Sequence, residues 1–118
     1  MLFQNGANLS GGQRKRLILA RAFAKKAEIY LLDELYASLD AVTGKKVRKN
    51  IEEELKQRTR IMISSRITDI MDADQILVLD SGSAAGLGKH ETLLKTCNLY
   101  RELFDMQQRL NGGIAHEE

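Results

Sequence analysis

At 118 residues, with 43% hydrophobic and 29% charged side chains, the chain has the composition of a core-forming protein with room for one modest domain. Eighteen basic against 16 acidic residues give a net charge of only +2, and three Phe, three Tyr and no Trp leave little surface on which to stack bases, so a nucleic-acid partner is not expected. No apolar run exceeds four residues, far from the ~20 that span a bilayer, and the lone Cys97 excludes a disulfide framework or a thiolate metal cluster; the expectation is a soluble, cytosolic chain.

In chain order, residues 1–9 are short and polar and read as loop. Ser10 with Gln13 three places on fits a capping box, which predicts a helix from Gly11 through the apolar and basic stretch to Ala24. Ile29-Tyr30-Leu31-Leu32, ending in Asp33-Glu34, has the pattern of a buried parallel strand. A second helix is expected over about 41–57, with Val47, Ile51 and Leu55 on one face. Strands follow at 60–64 and 75–79, with a short helix at 67–71 between them. Asp80-Ser81-Gly82-Ser83 turns the chain into a fourth strand at 84–87. Helical stretches at 90–95 and 99–110 precede a frayed tail, 111–118. Helices alternate with strands, so the fold class is α/β with a mainly parallel sheet and flanking helices.

Two places carry chemistry. The first is Leu9-Ser10-Gly11-Gly12-Gln13: a helix N-terminus attracts anions, side-chain-free Gly11 and Gly12 let backbone N–H groups approach a phosphate, and Ser10 adds a hydroxyl donor. A plain helix cap is the bland alternative. The second is Asp33-Glu34 at the carboxyl end of an apolar strand, the edge where ligands bind in open α/β sheets. There an Asp can hold Mg²⁺ through water and a Glu can orient or deprotonate an attacking water. An acidic helix cap is the competing explanation.

Taken with Arg14-Lys15-Arg16-Leu17, Ala20-Arg21-Ala22 and Leu39-Asp40, these segments resemble the C-terminal half of an ATP-binding cassette (ABC) nucleotide-binding domain of the exporter type. Leu9–Gln13 is similar to the signature motif of that family. Ile29–Asp33 with Glu34 resembles its Walker B strand and catalytic carboxylate, and Ala37-Ser38-Leu39-Asp40 its D-loop. Segments 72–82, 86–94 and 97–103 resemble the closing part of exporter-type members. The likeness covers roughly residues 5–108. Residues 1–110 are thus expected to be the C-terminal part of such a domain, of P-loop NTPase type but incomplete, with 111–118 a flexible tail.

The departures are as informative as the matches. No Gly-x-x-x-x-Gly-Lys-Ser/Thr occurs: Gly88-Lys89 is followed by His90 and Gly44-Lys45 by Lys46. The chain therefore reads as a fragment without its phosphate-cradling loop, inactive on its own. Ser65 occupies the position of the family's switch histidine, and a hydroxyl lacks the charge and reach of an imidazole. Neither His90 nor His116 replaces it.

The resemblance implies ATP and Mg²⁺ as cofactors, a second nucleotide-binding domain as head-to-tail partner, and a membrane-spanning exporter domain that places the chain at the cytoplasmic face of the membrane. Ser10, Gly11, Gly12 and Gln13 would then serve the partner's ATP. Asp33 (Mg²⁺, through water), Glu34, Ser65 and the D-loop Asp40 would line this chain's own site. The function so implied is part of an ATPase domain whose parent couples ATP hydrolysis to export. The alternative is a non-catalytic remnant that only supplies the signature face to a complete domain. A soluble ABC protein outside transport fits the exporter-like closing segment less well.

Overall fold

The computed structural model describes residues 7–37 and 39–114. Two compact units divide the chain, residues 1–63 and 64–118. No helix among the described residues is long and apolar enough to cross a membrane.

The first unit is a βαβ crossover preceded by a helix: α1 (Gly11–Ala24), β1 (Ile29–Asp33), α2 (Ala41–Glu54) and β2 (Thr59–Ile63). Strands β1 and β2 pair in parallel, in register from Ile29 opposite Thr59 to Asp33 opposite Ile63. Alternate residues of a strand face opposite sides. Tyr30 and Leu32 therefore point into a core with Leu35, Tyr36, Ile51 and Leu55, with Leu19, Phe23, Val47 and Met62 packed around it. The other side of the sheet presents Ile29, Leu31, Ile61 and Ile63, which are 50–72% exposed. The expected burial of both strand faces is thus half met: the apolar pattern is there, and no described residue covers the second face.

Helix α2 stops at Glu54, three residues short of the expected end. Leu55 leaves helical geometry (φ −101°, ψ 12°) while its N–H still donates to the Ile51 carbonyl. Glu52, Glu53 and Glu54 stack negative charge at the negative end of the helix dipole, which favours termination there. The apolar stripe is as expected, with Ile51 and Leu55 buried and Val47 packed against them.

The second unit comprises α3 (Ile67–Ile70), β3 (Ile76–Asp80), β4 (Ser83–Gly88), α4 (His90–Thr96) and α5 (Asn98–Ile114). Strands β3 and β4 form an antiparallel hairpin, with a register irregularity at Val78–Leu79. Ser81 and Gly82 both have positive φ (49° and 80°), as the two central residues of a tight hairpin turn require. The parallel pairing expected of the sheet is therefore confined to β1 and β2, because a two-residue turn can only reverse the chain.

Ile67, Ile76, Val78, Leu93, Cys97 and Tyr100 make the core of this unit. Gly86 permits β4 to lie against α4: a Cβ there would come within 3.0 Å of Leu93 Cδ2 and 3.1 Å of Cys97 Sγ. Helix α5 runs on through Asn111–Ile114, so the stretch expected to fray from 111 is helical for its first four residues. The rest of that tail, residues 115–118, lies outside the described residues.

Candidate functional site

Helix α1 opens with the expected capping box. Ser10 Oγ accepts from the Gln13 N–H (3.1 Å) and Gln13 Oε1 accepts from the Ser10 N–H (2.9 Å). Gln13 is thereby committed, by side chain and backbone, to holding the turn. The first N–H groups of a helix have no intrahelical acceptor, so those of Gly11 and Gly12 are the ones aimed out of the helix end. Among the described residues nothing lies within 4 Å of where a Cβ would stand on either glycine. The open space above both suits an incoming anion.

The acidic pair sits where β1 ends. Asp33 is the last strand residue and is exposed. Glu34 follows with φ 45°, a left-handed conformation that side chains other than Gly adopt at a cost. Two backbone contacts hold it there: its N–H donates to the Ile63 carbonyl (2.8 Å), and its carbonyl accepts from Ala37 N–H (3.3 Å). A third comes from α1, whose Lys15 Nζ donates to the same carbonyl at 3.0 Å. The Glu34 side chain is half-buried, with Oε2 shut off from solvent. Leu35 and Tyr36, which follow, are buried core residues, and the Arg48 guanidinium lies 4.7 Å from the centre of the Tyr36 ring. The turn that carries Glu34 is thus anchored on both sides.

Asp40 caps α2: its Oδ2 accepts from the Thr43 N–H at 3.0 Å, and hydrogen bonding from the Thr43 side chain first, and from its backbone N–H second, holds the Asp40 carboxyl below the usual aspartate range. Ser38, in the same expected loop, lies outside the described residues. Ser65 belongs to the second unit, exposed, in the turn between β2 and α3. His90 is buried. Its Nδ1 lies 2.7 Å from the Tyr100 hydroxyl and its ring packs edge-on against Phe104, so it is a core group of the second unit. In the first unit α1 and the β1 terminus are tied directly, through Lys15 and Glu34. This contact leaves no sign in the sequence, because the partner of Lys15 is a backbone carbonyl 19 residues away.

A family model described as "ABC transporter" matches residues 2–37, the stretch that contains the capped Gly-Gly turn and the acidic pair. Over 111 residues the chain is 45% identical to an ABC transporter ATP-binding protein of Mycoplasma genitalium, covering 94% of this chain and 18% of that protein. It is 42% identical over 106 residues to the ATP-dependent lipid A-core flippase of Bordetella pertussis, covering 90% of this chain and 17% of the flippase. A solved bacterial Atm1-family ABC exporter with ATP bound superposes with a TM-score of 0.81 at 37% identity, over 90% of this chain and 18% of the exporter chain. The chain is a segment that matches the ABC ATPase domains of exporters. It spans less than a fifth of the length of these relatives.

The residues present fit the group that this ABC likeness implies. The Gly11–Gly12 turn offers N–H donors under open space, suited to phosphate oxygens. Among the described residues no three His, Cys, Asp or Glu side chains form a metal cage. Mg²⁺ needs none: it is commonly held by one or two carboxylates with water and phosphate oxygens, a role open to the exposed Asp33.

Proposed function

We propose that this ABC segment acts within a head-to-tail pair of nucleotide-binding domains at the cytoplasmic face of a membrane exporter. Ser10 and the N–H groups of Gly11 and Gly12 serve the partner's nucleotide, while Asp33 and Glu34 serve this chain's own. The observation that carries this reading is the open turn at Gly11–Gly12, fixed by the Ser10–Gln13 box, on the same helix whose Lys15 reaches the carbonyl of Glu34. When bound, Mg²⁺-ATP supplies the phosphoanhydride whose cleavage drives transport. Asp33 would hold the cation. Glu34, with one carboxylate oxygen held away from solvent, orients the attacking water and accepts its proton. Asp40 sets the start of α2. By its resemblance to the family, Ser65 stands at the switch-histidine position with a hydroxyl in place of an imidazole, so the chain's own site is the slower of the two. That same residue favours the second reading, a non-catalytic module that lends only its signature face.

Ser10→Asp separates folding from function. Aspartate caps a helix as well as serine, so the helicity of α1 persists, while its charge repels a phosphate. In a pair assembled with a complete nucleotide-binding domain, turnover is expected to fall roughly a hundredfold or more, the usual loss when a preorganised donor is removed. Glu34→Gln should lower turnover much less. Unchanged turnover in Ser10→Asp would overturn the proposal, and equal damage from both substitutions would overturn the asymmetry and the non-catalytic alternative with it.

A further inference from the structure

One side-chain amide on α5 holds both sides of the turn that carries Ser65. Gln107 Nε2 donates to the Ser65 carbonyl at 2.8 Å, and Gln107 Oε1 accepts from the Ile67 N–H at 2.9 Å. From the other direction Asp69 Oδ2 accepts from Ser64 Oγ and from Arg66 Nε, each at 2.9 Å. The Arg66 N–H closes the turn onto Ser64 Oγ at 3.1 Å. Ser65 is thus held through its backbone carbonyl, in a turn fixed on both sides, and it is exposed.

We infer that Gln107 is a positioning residue for Ser65, and that through it helix α5 sets how the switch position is presented to nucleotide. This deepens the proposed function and rests on its reading of Ser65 as the switch position. The chemistry selects glutamine. The turn offers one acceptor and one donor, two residues apart, and an amide supplies the matching donor and acceptor. Glutamate can only accept in its ionised form, asparagine is one methylene shorter, and methionine has the volume without the donor.

The test reads the two arms separately by NMR on the full 118-residue chain at neutral pH, following amide exchange at Ile67 and the ¹³C shift of the Ser65 carbonyl. Gln107→Met should quicken Ile67 exchange about tenfold, the equivalent of ~1.4 kcal/mol for one lost hydrogen bond, and move the Ser65 carbonyl upfield. Gln107→Glu should keep Ile67 protected and move only the Ser65 carbonyl, a rescue of one arm that a purely packing role would not produce. The amides of Ile76 and Val78 in β3 should be unaffected by either. Ile67 exchange within about twofold of the parent in Gln107→Met would overturn the inference, as would equal acceleration at Ile76 and Val78. If the Met variant does not fold, loss of Ile67 protection in Gln107→Glu overturns it instead. No nucleotide enters this measurement, so its failure leaves the turnover test of Ser10 standing, and the reverse holds too.

Discussion

Lys15 on α1 donates from Nζ to the backbone carbonyl of Glu34 at 3.0 Å, and Glu34 holds φ at 45°. A residue of the helix that opens with the Ser10–Gln13 box thus stabilises the strained peptide of the catalytic candidate. Strain at such positions is retained where the surroundings over-determine it.

Glu34→Gly should therefore stabilise the first unit by about 1 kcal/mol, because glycine occupies the left-handed region without the Cβ penalty, while removing the carboxylate. Glu34→Ala keeps the penalty and should bring no gain. Lys15→Met should cost about 1 kcal/mol for the lost hydrogen bond to a partly buried carbonyl. Urea midpoints for the three variants decide the matter: a gain in Glu34→Ala equal to that in Glu34→Gly would show that φ is not the cause.

Two groups predict opposite pH dependences. Asp40 titrates below its ordinary value because its carboxylate accepts from Thr43, so its contribution to stability is present above pH 3.8 and fades as pH falls through the lowered value. Asp40→Asn should remove that acid-side loss. Burial pushes the Tyr100 phenol above its ordinary 10.0, so its contribution is complete below pH 10 and fades as pH rises through the raised value. Tyr100→Phe should flatten the alkaline limb of the stability profile, at the cost of the bond to His90. Thermal melts across the pH range report both limbs.

Purified chain should release no phosphate from Mg²⁺-ATP, since the sequence holds no Gly-x-x-x-x-Gly-Lys-Ser/Thr to cradle the β- and γ-phosphates. Mg²⁺-dependent release that disappears in Glu34→Gln would contradict this.

The exposed side of the β1–β2 sheet should drive self-association. Ile29, Leu31, Ile61 and Ile63 form one apolar surface beside unpaired strand edges. Leu31→Lys combined with Ile61→Lys should shift the sedimentation profile toward monomer. An unchanged distribution would place the sticky surface elsewhere.

What could be read in the sequence was mostly what is local in it. The Ser10–Gln13 box, the stripe of Val47, Ile51 and Leu55, and the turn at Ser81–Gly82 each depend on residues a few places apart, and each stands as expected. The apolar run of β1 showed that both strand faces are apolar, but periodicity carries no record of whether anything covers them. The contacts of Lys15 and Gln107 are not legible for a different reason. Their partners are backbone groups 19 and about 40 residues distant, and any residue offers a backbone carbonyl or N–H. The early end of α2 was legible in principle, in Glu52–Glu54 facing the helix dipole, but the apolar stripe masked it.

The close seat of Cys97 beneath Gly86 has a practical consequence. The chain's single thiol is 5% exposed and shielded by β4, so a labelling reagent meets it only when the second unit opens. Its modification rate is then a clock for that opening, readable without any engineered probe.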